Sequence, residues 1–277
     1  MMRTPATCRA LALSALALSL LLTACEDSAR KSYTGESIFE VFSPPTPQDA
    51  VRWAADPYDA DLRYRGTLLL ANAPWGGERP YVEMYELAAK DGDPGVRAVA
   101  LRALANHGSP EHAAIAINAL SDPNDLVRWE AARALQRFYA PEAVTPLIER
   151  TNPDREASDA VRASSAWALG QYAETRVVQT LIAALSEREL AVNQAALASL
   201  KTLTGQDHGY DAKAWLAWTR DAGTSMFNSR AEYSYRIFER DRFWYEWIPF
   251  IPPPPNETAG LPIGAPAANA TPPAQGG

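Results

Sequence analysis

The sequence predicts an all-α protein: a solenoid of paired helices, closed by one more helix and followed by an aromatic, proline-rich tail. Three observations predict it. A nine-residue pattern recurs five times, starting at Leu62, Val96, Val127, Val161 and Val192, in steps of 34, 31, 34 and 31 residues. Each copy ends in leucine, at Leu70, Leu104, Leu135, Leu169 and Leu200, and carries a small residue midway: Gly66, Ala100, Ala131, Ser165 and Ala196. A second amphipathic stretch follows each of the middle copies after a short loop, as in "EHAAIAINALSD", "PEAVTPLIERTN" and "TRVVQTLIAALSE".

The offsets 0, 4, 7 and 8 lie on one face of a 3.6-residue helix. Large residues at its ends and a small one between them let a neighbouring helix approach closely. One such pair cannot bury its apolar face alone, so a period near 32 residues means that stacking supplies the core. Past the fifth copy, Thr204-Gly205 and the turn Gly209-Tyr210-Asp211 lead into a last helix carrying Trp215 and Trp218. Its expected role is to cover the final apolar face.

One column stands out beside the first hydrophobe: Arg63, Arg97, Arg128 and Arg162, then Asn193, each arginine preceded by an acid at Asp61, Asp93, Asp125 or Asp159. The "D-x-x-V-R" and "A-x-x-A-L" pattern resembles HEAT repeats of the PBS-lyase-like type over roughly residues 58–220. The resemblance implies a right-handed solenoid of about five HEAT-like hairpins, with Asp–Arg ladders between repeats and a concave face that binds partners. Arg97, Arg128 and Arg162 can therefore be read as a partner-binding stripe or as rungs of a ladder, and the fading to Asn193 favours the ladder. Trp129, beside the arginine column, is a candidate contact for a partner, whereas Trp167 sits between apolar positions and is expected in the core.

The first residues predict an address. Arg3 and Arg9 precede the apolar run Ala10–Leu22, too short to span a bilayer comfortably. It ends in Leu22-Thr23-Ala24-Cys25, which resembles the lipobox of bacterial lipoproteins. That resemblance implies a signal peptide over 1–24, lipid on Cys25 and, with Glu26 next, a place on the periplasmic face of the outer membrane. Cys8 leaves with such a signal, so no thiol remains for redox chemistry or a thiolate metal site. The processed chain would carry 24 basic and 33 acidic residues, a balance that argues against nucleic acid. Residues 25–57, with "SPPTPQDA", are expected to be a linker, and 58–222 the solenoid with its cap.

The tail is the other unusual stretch. Eight aromatic residues fall between Tyr233 and Phe250, including Phe243, Trp244, Tyr245 and Trp247. Disordered chain is not built this way. Residues 223–251 are expected to pack on the solenoid or to present hot-spot residue types to a partner. Insertion at a membrane interface is disfavoured by Glu239, Asp241 and Glu246. Residues 252–277, rich in Pro, Ala and Gly, are expected to be unstructured.

Catalytic signatures are missing from the sequence. His107, His112 and His208 hold no i, i+4 spacing. HEAT-type deoxyhypusine hydroxylases build a di-iron site from His-Glu pairs, and this chain has one reversed pair, Glu111-His112. No nucleophile elbow, Walker loop or dinucleotide fingerprint occurs. The expectation is a non-catalytic, lipid-anchored envelope scaffold for protein partners, without cofactor or metal. Two rivals stand beside it: an envelope enzyme or enzyme subunit, and a structural component that binds wall polymer.

Overall fold

The computed structural model describes residues 45–235, 243–247 and 259–266, apart from the side chains of Thr224, Tyr245 and Glu246. Cys25 and the signal-like run lie outside the described residues. Eleven α-helices occur among the described residues, from Pro47 to Ala222. None is long and apolar enough to cross a membrane.

Helix α1 spans Pro47–Ala54 and α2 Ala60–Asn72. Then come the pairs α2/α3 (Arg79–Ala88), α4/α5 (Pro94–His107, Ala113–Ala119), α6/α7 (Asp125–Arg137, Val144–Thr151) and α8/α9 (Asp159–Leu169, Thr175–Ala184). Helices α10 (Leu190–Thr204) and α11 (Ala212–Ala222) close the array. Four nonapeptides fall on the first helix of a pair and the fifth on α10, and these five helices stack in sequence order. Val96, Val127, Val161 and Val192, and all five leucines from Leu70 to Leu200, are buried to 1 % exposure or less. The shared period is therefore the packing period.

Helix α1 corrects the expected linker. Pro47 suits the first turn, Asp49 pairs with Arg52 one turn on at 2.9 Å, and Ala50 is buried. It seats on α2 at Gly66, where a Cβ would overlap the backbone of Ala50 and Ala54. The first repeat's small residue is glycine because a helix backbone, not a side chain, rests on it. At the other end Trp215 is fully buried, donates from its indole nitrogen to Gly209 O at 2.9 Å, and meets His208 edge-on with centroids 4.8 Å apart. This is the closure expected of a terminal helix.

The tail corrects a second expectation. Residues 259–266 are placed against the array, as are 229–235, and together they make a strap over the ends of the first helices. Ala231 N–H donates to Thr202 O, Ile263 N–H to Arg137 O and Tyr139 N–H to Ile263 O, at 2.7 to 2.9 Å. Thr202 and Arg137 lie in the last turns of α10 and α6, whose carbonyls have no partner within their helices. Tyr235 N–H bonds Gly260 O at 3.0 Å, and Gly264 reaches Pro110, ahead of α5. The strap thus runs from the last repeat back to the second. Gly260 is needed there, because a Cβ would overlap the Tyr235 ring.

Candidate docking surface

The arginine column forms a continuous ladder. Arg63 donates to both oxygens of Asp91 (2.7 and 2.9 Å), Arg97 to Asp122 (2.8 and 2.9 Å) and Arg128 to Glu156 (2.7 and 2.8 Å), while Arg162 meets Glu187 at 3.0 Å. The free arm of each arginine bonds the backbone carbonyl of the preceding rung: Arg97 to Asp91 O, Arg128 to Asp122 O, Arg162 to Glu156 O. Asn193 ends the series on Glu187 O. Each acid lies two residues before the cap of the next first helix. Asp91, Asp122 and Glu156 also accept that cap residue's N–H, at 2.8 to 3.0 Å.

The acids that precede the arginines in sequence do other work. Asp93 caps α4 by accepting from Gly95 and Val96, whereas at α2 and α6 that role falls to Asp59 and Asn124. The Arg63 hydrogen bonds hold the Asp91 carboxyl below the usual range. At Asp122 and Glu156, burial pushes upward, but the arginine and the cap amide outweigh it and both carboxyls stay low. With their donors engaged along this ladder, Arg97, Arg128 and Arg162 do not form an open stripe for a partner.

Trp129 belongs to a different arrangement. The face of α6, α8 and α10 turned away from the core carries a shallow valley of about 490 Å³. Trp129 and Trp167, four alanines (Ala160, Ala163, Ala191 and Ala198) and two polar residues, Ser164 and Gln194, line it. The Trp129 ring is held from outside: Arg133 lies over it at 4.9 Å and is itself tied to Glu130, which also binds Arg102 of α4. Trp167 packs partly on the core and partly lines the valley, so it is less enclosed than its sequence position suggests. The sequence signal for this valley lies in α8. The outward positions of α8, at 160, 163 and 167, carry no charge, where a solvent-facing helix side ordinarily does.

The strap starts from the same region. Arg133 and Arg137 border a small cleft with Tyr235, and the Arg137 guanidinium lies 4.9 Å over the Tyr235 ring. Burial, with the Tyr172 phenol adding to it, pushes the Tyr233 phenol well above its ordinary range. Of the residues between Tyr235 and Gly260, Phe243, Trp244 and Trp247 are described with their side chains and stand 52 %, 81 % and 71 % exposed. Tyr245 is placed in the same turn, its side chain outside the described residues.

One cluster has the look of chemistry. Ser109 Oγ lies 2.9 Å from His112 Nδ1, and His112 Nε2 lies 3.0 Å from Glu86 Oε1. Nδ1, however, already accepts the Ser109 backbone N–H at 2.8 Å, and the hydroxyl donates to Glu111 at 2.7 Å. The ring nitrogen that would take a proton from the hydroxyl is occupied, so the group works as a cap on the turn 110–112. Among the described residues no three His, Cys, Asp or Glu side chains gather as a metal-ion site.

Two family profiles match the chain: HEAT repeats over residues 83–157, and the PBS lyase HEAT-like repeat over residues 161–187. The helical hairpins over these residues match HEAT-type repeats. Solved structures similar to this HEAT array include an engineered protein, 18 % identical over 67 % of this chain and 93 % of that one, with a TM-score of 0.47. The E. coli protein YibA is 18 % identical over 71 % of this chain and 69 % of its own, with a TM-score of 0.44. The CpcE–CpcF complex of phycocyanin lyase from Nostoc sp. PCC7120 is 20 % identical over 63 % and 81 %, with a TM-score of 0.39. No curated protein matches the chain significantly.

Proposed function

We propose that this protein is a lipid-anchored, non-catalytic scaffold of the cell envelope that holds a protein partner against the first-helix row of its HEAT array. The observation that carries the reading is the Trp129–Trp167 valley: a solvent-open recess lined mainly by alanine and tryptophan, with the Trp129 ring already pinned by Arg133. Tryptophan and arginine are the side chains that dominate binding energy at protein interfaces, and a ring held in place loses little freedom on binding. The anchor would be Cys25, which keeps the array near the periplasmic face of the outer membrane.

Capture from detergent extract of envelopes tests it, with soluble Cys25→Ser protein as bait. Ala163→Arg places a charge in the valley, and Ala217→Arg, on the exposed side of α11, is the control. The reading expects a discrete partner lost with Ala163→Arg and kept with Ala217→Arg, all baits melting alike. Equal capture by both variants would refute it. A second reading, an enzyme or enzyme subunit, draws support from the PBS-lyase-type repeat matched over 161–187. Metal that stays bound through gel filtration would favour it.

A further inference from the structure

The Trp129–Trp167 valley also sets the chemistry of its occupant, given the docking reading proposed above. The outward face of α6 runs Asp125, Trp129, Arg133, and that of α8 runs Asp159, Ala163, Trp167, each four residues from the next. Residues four apart share one helix face, so Asp125 and Asp159 stand on the same side of the valley, one turn before residues that line it. Both are exposed, and neither forms an ion pair among the described residues. Each spends one oxygen on the next amide, Asp125 on Leu126 N–H at 3.0 Å and Asp159 on Ala160 N–H at 2.9 Å. The opposite side is already paired, with Arg102 and Arg133 both on Glu130.

Outside the ladder, the chain at and before the starts of α6, α8 and α10 carries four exposed acids, Asp125, Asp154, Asp159 and Glu189, against two exposed arginines, Arg155 and Arg188. Acids in a first helical turn are ordinary by themselves. A second feature points to a ligand. Ser164 is only 8 % exposed and lines the valley, and its hydroxyl makes no hydrogen bond among the described residues. The side-chain amide of Gln194, also lining the valley, makes none there either. A buried hydroxyl left unpaired costs free energy that a polar group of the occupant recovers. An extended peptide offers such groups, a free N–H and C=O at each residue, whereas a helix spends them internally. Trp129 already holds one guanidinium, that of Arg133 at 4.9 Å, and indole is the ring that cations favour most. Packed helices lie about 8–10 Å apart. In a polyproline-II chain, residues three apart share a side at a separation of about 9 Å, so basic residues at i and i+3 reach Asp125 and Asp159 together. The net charge of −7 favours encounter with such a segment.

We propose that the valley takes an extended, cationic segment of a partner protein, with lysine or arginine at i and i+3 on Asp125 and Asp159 and its backbone bonded to Ser164 and Gln194. The probe is a phage-displayed library of random short peptides, selected on soluble Cys25→Ser protein. Enriched peptides are expected to be cationic, with basic residues three apart. A synthetic copy should bind the parent about three- to tenfold more tightly than the double variant Asp125→Asn with Asp159→Asn. Glu142→Gln with Glu149→Gln removes the same charge at α7, outside the valley, and should bind like the parent. Ala163→Leu fills part of the valley without adding charge and should lose the peptide. All three variants should melt like the parent. No enrichment, enrichment of neutral or acidic peptides, an equal loss in the α7 control, or binding unchanged by the two Asn substitutions or by Ala163→Leu would each overturn the proposal. Capture of a partner through the valley, with no cationic peptide selected, leaves the docking reading standing and removes only this one.

Discussion

The guanidinium of Arg128 grips both carboxylate oxygens of Glu156, 28 residues further along the chain, at 2.7 and 2.8 Å. Glu156 is the most enclosed rung, with a side chain 0 % exposed, and it also takes the Ser158 N–H and a longer contact from Arg150 at 3.5 Å. Removing the carboxylate leaves Arg128, itself only 15 % exposed, with backbone carbonyls as its remaining partners. Glu156→Ala is expected to cost about 3–5 kcal/mol, the usual penalty for breaking a buried pair from one side. Glu187→Ala should cost less, because Glu187 is less enclosed and bonds Arg162 at 3.0 Å without the second arginine that Glu156 has. Chemical denaturation of the two variants checks the order.

The same rungs set an acid limit. Asp91, Asp122 and Glu156 have folded-state pKa values below their ordinary ones. Their contribution is therefore complete above the unfolded values and is lost as pH falls through the folded ones. Thermal stability should be flat with respect to these groups from neutral pH down to about 5 and fall from about pH 4 toward pH 2. In Asp91→Asn the acid slope should be shallower, as a melting series against pH would show.

Much of this architecture was legible because stacking repeats itself. A valine (leucine in the first copy) and a leucine eight apart, with a small residue between them, describe a helix face buried on its neighbour, and the five copies are five successively stacked helices. The ladder was legible as a column of arginines but not in its pairing. Its acids, Asp91, Asp122, Glu156 and Glu187, lie 25 or 28 residues from their arginines, beyond any local spacing rule. Helix α1 was hidden by prolines that open a helix rather than prevent one. The strap at 259–266 was hidden by composition, since Ile263 docks through backbone hydrogen bonds that no residue pattern announces.

The strap makes its own prediction. Gly260→Val leaves no room for the Tyr235 ring. Hydrogen exchange should then speed up at the amides of Tyr235, Ile263 and Tyr139, while the Ala231 amide, bonded to Thr202, stays protected. Global stability should fall by about 1–2 kcal/mol, the scale of a few net hydrogen bonds.

At the C-terminal end of the array, Trp215→Ala opens a cavity under α11 and removes the partner of both His208 and Trp218. The expected cost is about 3–5 kcal/mol. Proteolysis should then begin near residues 205–222, ahead of cleavage in α4 to α8.

Ser109 offers a check on chemistry. Because His112 Nδ1 is occupied by a backbone amide, a fluorophosphonate probe should not label the folded protein. Ser109→Ala should leave any measured binding unchanged and lower stability by about 0.5–2 kcal/mol, as for a lost cap.

In the proposed scaffold a partner sits in the valley between Trp129 and Trp167. A photo-crosslinking amino acid at position 163, in the valley, tests this most directly, with position 217 on α11 as the comparison site. In intact envelopes the account expects one discrete crosslinked protein from position 163 and none from 217, with the crosslink abolished by Trp129→Ala. Crosslinks that are equal at the two positions, or that survive Trp129→Ala unchanged, would contradict it.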